Sequence, residues 1–103
     1  MADIEEYKTR IDRLCEEKGW NTDWRWLVTG FFAESGELVQ GIVKGDAPEQ
    51  IAEEFADVMH YLLKLMSVKA AGQDLDSALS AKIESNRANR KKTTDSDGNV
   101  VLK

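Results

Sequence analysis

Two acidic stretches dominate this chain, namely Ala33-Glu-Ser-Gly-Glu-Leu38 and Glu53-Glu-Phe-Ala-Asp57. Each contains two acidic residues three positions apart, Glu34 with Glu37 and Glu54 with Asp57. Residues at this spacing share one face of a helix, so each pair directs its carboxylates the same way. If the two helices lie side by side, four carboxylates converge, and each like-charge contact near 4 Å costs roughly 4 kcal/mol at an effective dielectric of about 20. Protons or cations must then neutralise the cluster, and Mg2+, which prefers oxygen ligands, suits that role.

Both acidic pairs border the apolar stripe of their predicted helix. At about 100° per residue, Leu27 and Leu38 lie within about 60° of Glu34. On the next helix, Glu53 and Lys64 point further out and are predicted to face solvent. Solvated surface acids are the alternative interpretation of such pairs. Carboxylates against an apolar face without partners are disfavoured, which favours a metal site.

Composition limits the class of protein. The chain has 103 residues, 42% hydrophobic and 32% charged, with a formal net charge of -5. This predicts one soluble globular domain without the basic surface that nucleic-acid binding needs. Cys15 is the one cysteine, so an internal disulfide is excluded and a reducing compartment fits. Without a signal-peptide pattern or an apolar run of about 20 residues, the expected location is the cytoplasm, with no membrane contact.

Apolar periodicity and capping signals predict an all-α fold of four helices joined by short connections, as in a four-helix bundle. The predicted helices cover about residues 3–18, 23–44, 47–71 and 74–91. Asp46 with Glu49 has capping-box spacing at the start of the third helix. Gly30 and Gly41 lie on the acidic face of the second helix and are predicted to make room for a ligand or a close helix.

The predicted domain organisation is one helical domain over residues 1–92 and a tail over residues 93–103. The turn signal Asp97-Gly98 and the apolar Val100-Val-Leu102 favour either a short hairpin or a strand against a partner chain. A chain of this size builds a modest core, so burial shared with a second copy is plausible.

Three further residues are candidates for contacting a ligand. Trp26 turns toward the Glu37 edge and is a candidate for stacking on a nucleobase, with core packing as the alternative. Lys82 and Asn86 share a stripe of the fourth helix with leucines, which would let them reach an anion. Alternatively, Lys82 extends to water and pairs with a surface acid. A di-iron centre is disfavoured, because the single histidine leaves the first acidic pair without one.

These residues together give the chain a resemblance to the MazG-like nucleotide pyrophosphohydrolases of the all-α NTP pyrophosphatase superfamily. The matching segments, which span roughly residues 24 to 90, are Ala33-Glu-Ser-Gly-Glu-Leu38, Glu53-Glu-Phe-Ala-Asp-Val-Met-His-Tyr-Leu-Leu63, Asp74-Leu75, Lys82 and Asn86. The resemblance implies Mg2+-dependent hydrolysis of a nucleoside triphosphate to the monophosphate and pyrophosphate, with Mn2+ as a substitute metal. It also implies a MazG-like helical homodimer or homotetramer and a house-cleaning role in the nucleotide pool.

Residue roles follow from the same resemblance. The residues that match the family's metal ligands and catalytic positions are Glu34, Glu37, Glu54 and Asp57. Those that match substrate-contacting positions are Tyr61, Lys82, Asn86 and, less closely, Arg90. The chain departs from the family at Ala33, where relatives often carry a second glutamate, and in the segment after Arg90. A dUTPase-like activity, a phosphoribosyl-ATP pyrophosphohydrolase activity and a non-enzymatic cation-binding oligomerisation module remain as alternatives.

Overall fold

The computed structural model describes residues 3–89, 92–94 and 100–102. In chain order the elements are α1 (Ile4–Lys18), α2 (Trp24–Lys44), α3 (Pro48–Lys69), α4 (Leu75–Asn89), β1 (Lys92–Thr94) and β2 (Val100–Leu102). The predicted all-α class is confirmed by the four helices, while the two strands are only three residues each. The predicted end of α4 at Lys91 falls outside the described residues.

The ends of α1 and α2 follow from local sequence signals. Asp3 caps α1 by accepting a 2.8 Å hydrogen bond from the backbone N–H of Glu6. Asp23 caps α2 in the same way, through the N–H of Arg25 at 2.9 Å. Gly19 and Gly45 adopt the left-handed conformation, with φ of 63° and 77°, and end the two helices. The predicted boundaries of these helices are confirmed to within one residue.

The predicted cap of α3 is wrong. Ala47 occupies the N-cap position and makes no side-chain capping bond, so Asp46 and Glu49 do not form a capping box. Asp46 instead belongs to the turn that ends α2, where its N–H donates to the carbonyl oxygen of Gly41 at 2.9 Å. Because this bond closes the end of α2 from Gly41 to Asp46, Asp46 lies one position before the N-cap of α3 and does not cap that helix.

The chain forms two compact units, the first ending at Gln73 and the second beginning at Asp74. In the first unit, α3 packs against both α1 and α2. One aliphatic side chain from each helix is buried there, namely Ile11, Leu27 and Leu63. The bundle of four helices and the single domain over residues 1–92 stay predictions, because α4 belongs to the second unit.

The second unit contains α4 and the two strands. The strands pair in antiparallel register, with Thr93 opposite Val101. The turn predicted at Asp97-Gly98 lies outside the described residues. No helix within the described part of the chain is both long enough and apolar enough to span a bilayer.

Candidate metal centre and adjoining cavity

Three acidic side chains from two helices meet on the first unit. Glu34 on α2 and both Glu54 and Asp57 on α3 each offer a carboxylate oxygen, and these oxygens all lie within 4.8 Å of one another. The helical spacing explains the arrangement, because Glu54 and Asp57 share one face of α3 and α2 packs against α3. The predicted convergence of the two acidic motifs is therefore present for three of the four residues. We call these three residues the acidic cluster.

Glu37 lies beside the acidic cluster and is not one of its three members. Its side chain is exposed. Its charge nevertheless acts on both glutamates of the cluster. This placement makes Glu37 a neighbouring carboxylate, available for a role other than direct metal binding.

Burial and crowding both disfavour the ionised forms of the two glutamates. The pKa of Glu34 is raised first by burial, then by the charge of Glu37 and a hydrogen bond with its side chain, and then by the charges of Asp57 and Glu54. The pKa of Glu54 is raised by burial and then by the charges of Glu37 and Asp57. Both shifts have the direction expected where burial and neighbouring carboxylates disfavour an ionised carboxyl group.

Sequence patterns missed a further acid near the cluster. The charge of Asp46 also raises the pKa of Glu54, and the Asp46 side chain is half-buried against Gly41. Its Oδ2 would lie 3.1 Å from a Cβ added at Gly41. Sequence patterns do not predict this proximity, because Asp46 belongs to no acidic pair and approaches the cluster only through the turn after α2.

The cluster has the donor set that a hard divalent cation requires. Glu34 Oε2 and Glu54 Oε2 are buried and have no hydrogen-bond partner within the described part of the chain. A buried carboxylate oxygen without a partner is costly unless an ion or a proton satisfies it. Oxygen-only ligands suit Mg2+, which binds through one or two carboxylates and keeps waters for the rest of its coordination sphere. The residues present therefore fit this ion.

A cavity of about 270 Å³ adjoins the acidic cluster. We call it the Trp26 cavity. Its walls come from α1, α2, the segment between them and α3, and they comprise Ile11, Cys15, Trp20, Asn21, Trp26, Leu27, Glu34, Asp57, His60, Tyr61 and Lys64. Two acids of the cluster thus share one cavity with three aromatic rings. The indole of Trp26 is 57% exposed, which leaves it accessible to a ligand.

Gly30 allows Tyr61 to reach this cavity. A Cβ added at Gly30 would overlap the ring of Tyr61, so only a glycine lets α2 accept that ring against its backbone. The prediction that Gly30 makes room on the acidic face is confirmed, and the occupant is the aromatic ring of the neighbouring helix. Gly41 is buried and faces the Asp46 carboxylate in a similar way.

The helical wheel predicted that Lys64 faces solvent, and this prediction is wrong. Lys64 Nζ donates to Asp12 Oδ1 at 2.8 Å, and only 14% of its side chain is exposed. The reason is that α1 packs on that side of α3 and covers a face which α3 alone would leave open. A single helix carries no signal of this contact.

The remaining predicted site residues lie in the second unit. Lys82 and Asn86 are on α4, and both are exposed. Arg90 lies outside the described residues. The meeting of these residues with the acidic cluster stays a prediction.

No protein-family model, curated protein or solved structure matches this chain.

Proposed function

We propose that this chain is a MazG-like, Mg2+-dependent nucleoside triphosphate pyrophosphohydrolase, acting in the cytoplasm on surplus or non-standard nucleotides. The observation that carries the proposal is the meeting of Glu34, Glu54 and Asp57 at the edge of a cavity lined by aromatic rings. A cluster of carboxylates suits a cation and the phosphates it binds. Exposed aromatic faces suit a nucleobase.

The three residues of the acidic cluster would hold Mg2+, with Mn2+ as a substitute. When bound, the ion supplies charge neutralisation for the triphosphate and orients it for in-line displacement. The two unpartnered oxygens of Glu34 and Glu54 support this assignment. Ion binding also explains why the fold keeps carboxylates whose ionised forms it disfavours.

Glu37 is the proposed proton acceptor. In this step a water oxygen forms a bond to the α-phosphorus, and the bond from that phosphorus to the bridging oxygen of the β-phosphate breaks. Pyrophosphate leaves with the bridging oxygen, and Glu37 takes the proton that the water gives up. Its exposed carboxylate beside the cluster supports this role, because a base that was itself a ligand would have less basicity to offer.

Substrate binding is assigned to aromatic side chains of the Trp26 cavity and, by the resemblance, to basic and amide side chains further along the sequence. Trp26 stacks on the base, and Tyr61 contacts the sugar, which their shared position on the Trp26 cavity supports. Lys82, Asn86 and Arg90 bind the phosphates, with Lys82 acting as a point charge. No nucleic acid is involved, since the net charge of -5 opposes a polyanion.

A homodimer or homotetramer is the proposed functional form. Three aliphatic side chains are buried in the described part of the chain. Large apolar side chains on α2 and α3 are left exposed, including Phe32 at 68%, Val39 at 58%, Val43 at 80% and Phe55 at 51%. Phe32, Val39 and Val43 recur at spacings of seven and four residues, so they share one face of α2. A continuous apolar face of this kind is typical of a surface that a partner covers.

The reaction is tested by incubating the protein with a panel of ribo- and deoxyribonucleoside triphosphates and Mg2+. Pyrophosphate and orthophosphate are assayed separately. We expect the monophosphate and pyrophosphate in equal amounts, and no turnover after the metal is chelated. Orthophosphate as the sole primary product would exclude cleavage between the α and β phosphates.

The acidic cluster is tested by substituting Glu34→Gln and Asp57→Asn, which keep side-chain size and remove the charge. Each change should lower Mg2+-dependent kcat/KM by at least about a hundredfold, because a metal ligand contributes several kcal/mol to the transition state. The control is Glu16→Gln, at an exposed glutamate of α1, which should leave activity unchanged. Activity that survives both cluster substitutions would refute the assignment.

The same panel distinguishes the alternatives. A dUTPase-like enzyme would release pyrophosphate from dUTP alone. A phosphoribosyl-ATP pyrophosphohydrolase would be inactive on the standard triphosphates and would require phosphoribosyl-ATP, which is added to the panel. A non-enzymatic cation-binding module would show Mg2+-induced thermal stabilisation without release of pyrophosphate from any substrate.

A further inference from the structure

A part-buried ion pair joins α1 to α3 beside the Trp26 cavity. Lys64 Nζ lies 2.8 Å from Asp12 Oδ1, and the two side chains are 14% and 39% exposed. Lys64 also lines the cavity together with Trp26 and Tyr61. An ammonium group has three N–H donors, and the bond with Asp12 uses one of them. The others are available to a molecule in the cavity.

The chemistry of this pair suits an uncharged polar group. Asp12 balances the charge of Lys64, so the ammonium at the cavity wall is a hydrogen-bond donor whose charge is already paired. A phosphate would gain little from such a donor, whereas the edge of a nucleobase carries neutral acceptors for it.

The position of the pair agrees with that chemistry. Lys64 follows Asp57 by seven residues, which corresponds to roughly 10 Å along the axis of α3. The phosphates belong with the cation at the acidic cluster, so this separation places Lys64 toward the other end of a bound nucleotide. Trp20 and Asn21 line the same cavity and add an aromatic face and an amide to its wall.

We propose that Lys64 is a specificity-determining residue that donates a hydrogen bond to an exocyclic carbonyl oxygen of the nucleobase, and that Asp12 positions it. The claim rests on the proposed function in that the base belongs to the triphosphate bound at the acidic cluster. Uracil, thymine, cytosine and guanine carry such an oxygen, and adenine carries none. The enzyme therefore selects against adenine nucleotides, since the exocyclic group of adenine is an amino donor, which opposes the part-buried ammonium instead of accepting from it.

The test compares kcat/KM for UTP, CTP, GTP and ATP in the wild type and in Lys64→Met, with Lys44→Met as the control at an exposed lysine of α2. We expect Lys64→Met to lower kcat/KM for the three carbonyl-bearing substrates roughly tenfold to a hundredfold, the usual range for a hydrogen bond to a charged group. The loss should come through KM, and ATP should change by less than about threefold. Asp12→Asn should reduce the preference in the same direction, and Lys44→Met should keep it.

An equal loss for all four substrates would overturn the proposal, because it would indicate a structural or phosphate-binding role for Lys64. An unchanged preference in Lys64→Met would overturn it as well. If Lys64→Met fails to fold, the double variant Asp12→Asn with Lys64→Met takes its place, since it removes the same donor without leaving a carboxylate unpaired.

A binding measurement separates this proposal from the proposed reaction. Quenching of tryptophan fluorescence by uridine and by adenosine is recorded without Mg2+, in the wild type and in Lys64→Met. We expect tighter binding of uridine that depends on Lys64. If this holds while no triphosphate is turned over, the proposed reaction fails and the role of Lys64 stands. If the wild type turns over triphosphates but shows no preference for uridine in this assay, the role of Lys64 is refuted and the reaction stands.

Discussion

Among single residues, Glu34 has a carboxylate whose surroundings disfavour its ionised form. Its carboxylate sits against apolar neighbours on α2, one oxygen is buried without a partner, and three other acids act on it. An uncharged side chain would be less costly at this position if stability alone mattered. This cost supports the proposed cation site.

The raised pKa values of Glu34 and Glu54 predict how the metal-free protein responds to pH. A group whose pKa is raised on folding contributes stability at low pH, and that contribution is lost as the pH rises through the folded-state pKa. The metal-free protein should therefore lose thermal stability as the pH rises above the ordinary range of a glutamate carboxyl group, and Mg2+ should raise Tm more at pH 8 than at pH 5. Asp23, whose pKa is lowered, instead contributes stability at neutral pH. That contribution is lost only as the pH falls below the ordinary range of an aspartate carboxyl group.

The control for this pH prediction is Glu34→Gln, which removes one of the two responsible groups. Thermal unfolding of this variant in metal-free buffer should show a weaker pH dependence, and its Tm at pH 8 should exceed that of the wild type. The same pH dependence in both proteins would contradict the assignment of the shift to this carboxylate.

At the scale of the helices, Gly30 controls how closely α2 and α3 approach. The ring of Tyr61 occupies the space that a Cβ at Gly30 would need. Gly36 lies further along the same helix, and a Cβ there would meet only open space. Substituting alanine at each of the two glycines therefore separates the steric effect of the added Cβ from its effect on helix propensity.

Gly30→Ala should destabilise the protein by about 1–3 kcal/mol, because the added methyl group overpacks the interface with Tyr61. Gly36→Ala should stabilise it by up to about 1 kcal/mol, the ordinary gain from replacing glycine within a helix. Urea unfolding gives both values. Equal stability of the two variants would contradict the close approach of α2 and α3 at this point, and Tyr61→Ala should relieve most of the cost of Gly30→Ala.

Local signals predicted the elements better than their contacts. The ends of α1 and α2 follow from an aspartate at one end and a glycine at the other, which need no tertiary information. The convergence of the acidic motifs also followed from helical spacing. By contrast, the pairing of Asp12 with Lys64 joins residues 52 positions apart, and no periodicity within one helix reports such a contact. The return of Asp46 toward Glu54 depends on the turn between α2 and α3 and was missed for the same reason.

At the scale of the whole molecule, the small core is the main feature. Ile11, Leu27 and Leu63 are buried, while many larger apolar side chains of the described residues remain exposed. A chain of about 100 residues is marginal when it buries so little. Association with further copies would bury the apolar face of α2 and supply the missing stabilisation.

Sedimentation analysis should therefore show a dimer or tetramer for the wild type. Val39→Lys should dissociate it, because a charge on the apolar face of α2 opposes burial there. Gln40→Lys, at the adjacent exposed position, is the control and should leave the assembly intact. A monomeric wild type, or an intact assembly in Val39→Lys, would contradict this arrangement.

We propose that Glu34, Glu54 and Asp57 together bind one divalent cation. NMR of the isotopically labelled protein tests this binding through the paramagnetic broadening of backbone amide signals by Mn2+. At substoichiometric Mn2+ we expect the signals around these three residues to broaden first, and excess Mg2+ to restore them. Broadening spread evenly over the acidic surface, or centred on another part of the chain, would contradict the claim.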